Sequence, residues 1–282
     1  MKILVTGSSG RIGSAICERL RREHEVTGLD RSASATTAIV GDIGDATVLE
    51  RALRGIDAVV HSAALHAPHV GAVDDREFER VNVHATRLLA DLATAAGVRR
   101  LVFTSTTALY GAASAANESA VWVDEALAPH PQTIYHRTKL AAEAVLAAHP
   151  TLAVTALRMS RCFPEPVPLM AVYRLHRGVD ARDVAEAHAL ALASVQPGFR
   201  RYVISGATPF ERGDLGELMH DAPSVLRRRA PALVEAFERR GWPLPRSIDR
   251  VYCPALAMRE LGWAPRYGAE ELLTRARTAS SR

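Results

Sequence analysis

A tyrosine and a lysine four residues apart carry the most chemistry in this sequence. They are the ends of Tyr135-His136-Arg137-Thr138-Lys139, which opens a run through Leu140, Ala141, Ala142, Glu143 and Leu146 that reads as a helix. Positions i and i+4 of a helix share one face, so the ammonium is expected beside the phenol. A neighbouring positive charge favours the phenolate and lowers a pKa that is otherwise about 10. The product is a general acid/base that works near neutral pH, as removing or returning a hydroxyl proton requires. Lys139 is also one of only two lysines, with Lys2, among 35 basic residues. A chain that supplies almost all its positive charge as arginine singles out a lysine placed inside a helical segment.

Such a pair needs a partner group, and the first residues provide for one. Lys2-Ile3-Leu4-Val5 reads as a short strand, Thr6-Gly7-Ser8-Ser9-Gly10-Arg11-Ile12-Gly13 as a glycine-rich turn, and Ala15, Ile16, Arg19 and Leu20 as one helix face. Strand, turn and helix in that order make a phosphate cradle, because glycines let backbone amides approach an anion at a helix N-terminus. Gly7, Gly10, Arg11, Ile12 and Gly13 are therefore candidates for holding a dinucleotide. A second strand, Glu25 to Asp30, ends in an acid twenty residues after Gly10. A carboxylate there accepts hydrogen bonds from both ribose hydroxyls and repels a 2′-phosphate. Arg31 follows directly and suits a 2′-phosphate instead; with Asp30 ahead of it, NAD is favoured over NADP.

Further strands are expected at Ala38-Ile39-Val40, Ala58-Val59-Val60-His61 and Arg100 to Ser105. Asp42-Ile43 after the third either meets the adenine or caps the next helix. Ser62-Ala63-Ala64 supplies small side chains where backbone lies close to a cofactor. His66 and His69 in the next loop either touch substrate or are solvated. Phe78 to Ala96 is expected to form one long amphipathic helix, with Asn82 one position off its apolar stripe as a surface residue or a loop brace. Thr106, Thr107 and Tyr110-Gly111 stand beyond a strand's carboxyl end, where open parallel sheets bind ligands.

Composition narrows the setting. At 282 residues, 48% hydrophobic and 23% charged, the chain suits one large α/β domain with a smaller lobe. The net charge is +4, but its densest patch, Arg227-Arg228-Arg229, is diluted by Asp221, Glu235 and Glu238 and reads as a solvated helix face. No nucleic-acid partner is expected. No apolar run approaches the ~20 residues that span a bilayer, and the first strand begins too early for a secretory signal. Cys17, Cys162 and Cys253 are too scattered for a disulfide framework or metal cluster, so the expected home is the cytoplasm.

Together, Thr6-Gly7-x-x-Gly10-x-x-Gly13, Asp42-Ile43, His61-x-Ala63-Ala64, Asn82 and Tyr135-x-x-x-Lys139 resemble the extended short-chain dehydrogenase/reductases, the NAD-dependent epimerase/dehydratase family. The resemblance runs from residue 1 to about 165 and resumes at Gly178 to Ala185. It implies a Rossmann-type doubly wound parallel sheet over 1–165, completed by about 178–205. A small, discontinuous substrate lobe would use 166–177 and 206–282. It further implies Tyr135 as acid/base, Lys139 as its tuner and ribose ligand, and Thr106 as the third catalytic hydroxyl, with Ser105 as fallback. A homodimer through the helices near Phe78 and Tyr135 is implied as well. The short stretch Phe163 to Arg177, with Arg158 before it, resembles uronate dehydrogenases, which implies Arg174 as holder of a substrate carboxylate, with Arg177 behind it. Thr106-Thr107-Ala108 departs from the Ser-Asn-His of those enzymes and leaves the substrate open, with His66, Thr107 and Arg174 as its candidate ligands. The expected activity is hydride transfer between a hydroxyl of a small sugar-like or sugar-acid substrate and NAD. A sugar epimerase or dehydratase, and a non-catalytic NAD sensor, are the alternatives.

Overall fold

The computed structural model describes residues 1–111, 119–149, 151–194 and 197–279. In chain order its elements are β1 (Lys2–Thr6), α1 (Arg11–Leu20), β2 (Glu25–Asp30), β3 (Ile39–Val40), α2 (Ala46–Ala52), β4 (Ala58–His61), α3 (Asp75–Glu79), α4 (Ala85–Ala95) and β5 (Arg100–Thr106). There follow β6 (Val121–Val123), α5 (Ile134–Ala147), β7 (Ala153–Met159), α6 (Val167–His176), α7 (Ala181–Ala193) and β8 (Phe199–Ile204). The chain closes with α8 (Leu215–His220), α9 (Ala222–Arg229), α10 (Pro231–Glu238), β9 (Arg250–Tyr252), α11 (Ala255–Leu261) and α12 (Ala269–Ala279).

Contacts divide the chain into two units. The first comprises Met1–Leu109, Pro131–Arg158 and Val184–Tyr202. Its centre is a sheet of seven strands in the order β3-β2-β1-β4-β5-β7-β8. The pairings from β3 across to β5 are parallel. Strands buried on both faces must be apolar throughout, and Ile3, Leu4, Val5, Val59 and Val60 are fully buried. The order reverses between β1 and β4, the point where a doubly wound sheet opens a ligand crevice. There Thr6 ends its register opposite Leu29 on one side and His61 on the other.

The helical run over 75–95 differs from the single regular helix expected. Arg80–His84 forms a π-helical turn between α3 and α4. A wider turn inserts one residue into the helical repeat, which brings both Val81 and Asn82 to the buried face. Regular 3.6-residue spacing leaves Asn82 off the apolar stripe.

The second unit comprises Tyr110–His130, Met159–Asp183 and Val203–Arg282. It takes in Tyr110–His130 because β6 lies parallel to β9. One core gathers Phe210, Leu218, Val225, Leu226 and Val251, and another gathers Val172, Leu233, Phe237 and Leu273. Asp183 fastens the C-terminal segment: its carboxylate accepts from the Arg266 and Tyr267 amides, and its carbonyl from Trp263 Nε1. The basic triplet is largely spent within this unit. Arg228 donates to Glu217 at 2.7 Å, and Arg229 donates to Asp214 at 2.9 Å and Glu211 at 2.7 Å.

Candidate active site

The glycine turn of the first unit has the shape of a cradle that side chains would fill. Gly7 adopts φ +74°, and a Cβ there would lie 2.6 Å from the Ala63 nitrogen. A Cβ on Gly13 would lie 1.9 Å from the Gly7 carbonyl oxygen. The turn thus packs against Ser62-Ala63, which explains the small residues after β4. Helix α1 starts at Gly10 with no side-chain cap, leaving its first amides for an anion. Gly10 and Arg11 are exposed at this mouth and Ile12 is half-buried; Ala63 and Ala64 are half-buried across from them. These features fit a dinucleotide pyrophosphate.

At the next strand end, the Asp30 carboxylate is held by the Ser9 amide at 3.0 Å and the Ser32 amide at 3.0 Å, while Arg31 is exposed. Asp42 does not cap helix α2; Asp45 does, accepting from the Thr47 and Val48 amides. Asp42 instead accepts from the Gly44 amide and from Arg80 Nη2 at 2.9 Å. The Arg80 guanidinium thereby holds the Asp42 carboxyl below the usual carboxylate range. Ile43 is buried beside it.

Three consecutive residues at the end of β5 meet one face of helix α5. The Thr106 side chain lies close enough to the Tyr135 phenol to lower its pKa. The Thr104 carbonyl accepts from Lys139 Nζ at 2.7 Å. Ser105 Oγ donates to Glu143 Oε1 at 2.5 Å. Helix α5 is launched at this spot by Thr133, whose hydroxyl accepts from the His136 amide while the His136 ring reaches back to the Thr133 amide. Lys139 is 3% exposed, and its ammonium lies 3.8 Å over the Phe103 ring centroid.

The electrostatics depart from the simple picture of an acidified phenol. Burial raises the Tyr135 pKa above its ordinary value, and the Thr106 side chain lowers it in opposition. Burial pulls Lys139 down to about 7, with the Glu143 carboxylate pushing it back up. The lysine is held by a carbonyl and an aromatic face of β5, those of Thr104 and Phe103. His61, fully buried between Thr6 Oγ1 at 2.7 Å and Thr86 Oγ1 at 2.9 Å, is pushed down to about 3 by burial and next by Lys139. It is a neutral strut joining the glycine turn to helix α4.

Asn82 settles as a brace. Its Oδ1 accepts from the Leu65 amide at 2.8 Å, and its Nδ2 donates to the Leu65 carbonyl at 2.9 Å and Thr138 Oγ1 at 3.1 Å. The π-helical turn therefore ties the loop after β4 to the residue preceding Lys139. Of the candidate substrate ligands, Thr107 is buried and His66 half-buried, its ring edge-on to His69 at 4.6 Å. Arg174 belongs to the second unit, where Nη2 donates to Asp180 at 3.0 Å and the buried Nη1 finds no hydrogen-bond partner among the described residues. It lines a pocket of that unit with Arg161, Phe163, Glu165, Met170 and Tyr173.

The residues that sequence reasoning missed are Glu143 and Arg158 as a pair. Arg158 is fully buried and its Nη2 donates to Glu143 Oε2 at 2.6 Å. The available signal was spacing: Tyr135, Lys139 and Glu143 recur at i, i+4 and i+8.

A model of the NAD dependent epimerase/dehydratase family matches residues 3–164. The chain is 30% identical to the 2-alkyl-3-oxoalkanoate reductase of Stenotrophomonas maltophilia, over 100% of both proteins. It is 33% identical to the L-arabinose 1-dehydrogenase (NAD(P)(+)) of Haloferax volcanii, over 51% of this chain and 59% of that one. Among solved structures, a short-chain dehydrogenase/reductase superfamily protein from Agrobacterium tumefaciens with bound NAD gives a TM-score of 0.73 at 24% identity. That match covers 100% of this chain and 97% of the other, and it speaks for the fold.

Proposed function

The chain belongs to the NAD dependent epimerase/dehydratase family, and from that premise we propose that it moves hydride between NAD and a secondary or anomeric hydroxyl of a small, polyhydroxylated or acidic substrate. When bound, the nicotinamide supplies the hydride chemistry. The chain supplies the proton chemistry. Tyr135 takes the hydroxyl proton in oxidation and returns it in reduction, Thr106, close to the phenol, orients the oxygen, and Lys139 contributes positive charge nearby. Gly7, Gly10, Arg11, Ile12 and Gly13 with Ala63 and Ala64 hold the pyrophosphate and neighbouring sugar, Asp30 and Arg31 the adenosine ribose, and Asp42 and Ile43 the adenine. Asn82 fixes the loop after β4, and Lys139 also faces the nicotinamide ribose.

The observation carrying this reading is that Tyr135 stands one turn before a buried Lys139 on helix α5, where the end of β5 holds the lysine through the Thr104 carbonyl. For the substrate we put forward His66, Thr107 and Arg174. The unsatisfied buried Nη1 of Arg174 supports an acceptor such as a carboxylate, since a buried N–H without a partner is costly. The relative matched over the full length of both chains is a reductase by its name, whereas 4-epimerases among the relatives match 39–72% of this chain, which favours a dehydrogenase over an epimerase that returns its hydride. Partly exposed Leu88, Leu92, Leu140 and Val145 on α4 and α5 support a homodimer through those helices. Residence in the cytoplasm belongs to the same proposal; among the described residues no helix is long and apolar enough to cross a membrane. A screen for NAD reduction against uronic acids, free sugars, 3-hydroxy acids and nucleotide-sugars tests the reading. Net NADH formation supports it, and interconversion of epimers without NADH replaces it with the epimerase.

A further inference from the structure

Resting on the reading of Tyr135 and Lys139 as the proton-handling pair, we propose that Glu143, clamped by Arg158 and Ser105, is a positioning residue that keeps Lys139 in its ammonium form and locks helix α5 to the end of β5. Three observations converge on it. Glu143 stands one turn beyond Lys139 on the face that Tyr135 begins, so the three side chains form a ladder along one side of the helix. Each rung is matched by one of three successive residues of a single strand: Thr106 for Tyr135, Thr104 for Lys139 and Ser105 for Glu143. The carboxylate is also over-anchored. Both its oxygens accept from Arg158, at 3.0 Å and 2.6 Å, and it is 3% exposed. A buried ion pair is weak evidence of stability in its own right, because desolvation offsets most of the attraction. Keeping a buried carboxylate one turn from a buried ammonium therefore calls for a role, and charge placement is the one the geometry allows.

Among the described residues, charged and titratable groups near Lys139 come from four elements. Helix α5 itself brings Tyr135 and Glu143, β4 brings His61, β7 brings Arg158 and α7 brings His188, which bonds Thr104 Oγ1 at 2.8 Å. Strand β5 presents the Phe103 ring and the Thr104 carbonyl to Lys139. Burial pushes His61 to about 3 and His188 to about 4, so both are neutral near pH 7. The Glu143 carboxylate is then the negative charge that opposes the desolvation of Lys139.

The two-lysine composition makes a direct test possible. In protein labelled with 13C-lysine, the Cε signals of Lys2 and Lys139 can be titrated separately, with exposed Lys2 as internal reference. Glu143→Gln removes the carboxylate's negative charge and keeps Arg158 positive, so the Lys139 midpoint is expected to fall by about one pH unit or more. Glu143→Leu/Arg158→Met removes both charges in an apolar, similar-sized pair, a replacement that buried ion pairs tolerate. This double variant is expected to fold and to give a midpoint between Glu143→Gln and wild type. In the pH profile of turnover, the alkaline limb should move down in the same order. A folded double variant whose Lys139 midpoint equals or exceeds that of wild type overturns the proposal. The titration needs no turnover, so it fails separately from the catalytic reading, which is lost instead if Tyr135→Phe keeps wild-type activity.

Discussion

Lys139 donates to the main-chain carbonyl of Thr104 at 2.7 Å, two residues before the threonine that lies close to the Tyr135 phenol. The lysine and the tyrosine are thus held by the same stretch of strand, and their separation is set by backbone as much as by side-chain packing. Burial draws Lys139 from 10.5 to about 7. Between these values the unfolded chain binds more protons than the folded one, so this group makes stability rise as pH climbs from about 7 towards 10.5. Melting temperatures of wild type and Lys139→Met compared across that range should converge as pH rises, with the variant the more stable at pH 7. A difference that stays constant with pH contradicts a desolvated lysine.

The glycine cradle makes a steric prediction. A methyl group on Gly13 would sit 1.9 Å from the Gly7 carbonyl oxygen, a distance only backbone movement can relieve. Gly13→Ala is expected to destabilise the first unit by about 1–3 kcal/mol. It should also abolish the upward thermal shift that saturating NAD gives the wild type. Retained NAD binding by isothermal calorimetry speaks against the cradle.

Asp30 is fixed by two amides, those of Ser9 and Ser32, each at 3.0 Å. A carboxylate held that firmly cannot swing aside for a 2′-phosphate. Asp30→Ala is therefore expected to raise the NADP-to-NAD ratio of kcat/KM at least tenfold, equivalent to ~1.4 kcal/mol, with exposed Arg31 free to meet the phosphate. Unchanged cofactor preference would assign the discrimination elsewhere.

Acid should loosen the fold through its buried histidines. His61 is lowered to about 3, and His176 and His188 to about 4, each chiefly by burial. Below about pH 6.5 the unfolded chain takes up protons that the folded chain refuses, so stability falls as pH drops towards these values. Melting temperature measured from pH 7 to pH 5 should decline steadily. His188→Gln, which keeps a polar partner for Thr104, should flatten part of that decline.

What the sequence disclosed was local. The strand, glycine turn and helix at the N-terminus are contiguous, and Tyr135 and Lys139 are one turn apart, so spacing alone revealed both. The wide turn at Arg80–His84 was hidden because apolar periodicity assumes a regular helix, and one inserted residue moves Asn82 from the stripe's margin to the interior. By sequence Asp42 suits a helix cap as well as an adenine contact; the fold gives the cap to Asp45 and places Arg80 on the Asp42 carboxylate. Arg158 and Glu143 meet only through packing of β7 beside β5 under helix α5. The acceptor of Lys139 was hidden for the same reason: it is a carbonyl of another element, that of Thr104.

The central claim is that the Tyr135 phenol moves the substrate's proton. The most direct measurement is hydride transfer by Tyr135→Phe, with NAD affinity determined on the same preparation. The account expects turnover to fall by roughly 10²–10⁴-fold while NAD binds as to wild type. Turnover at the wild-type rate, with the cofactor bound, would contradict it.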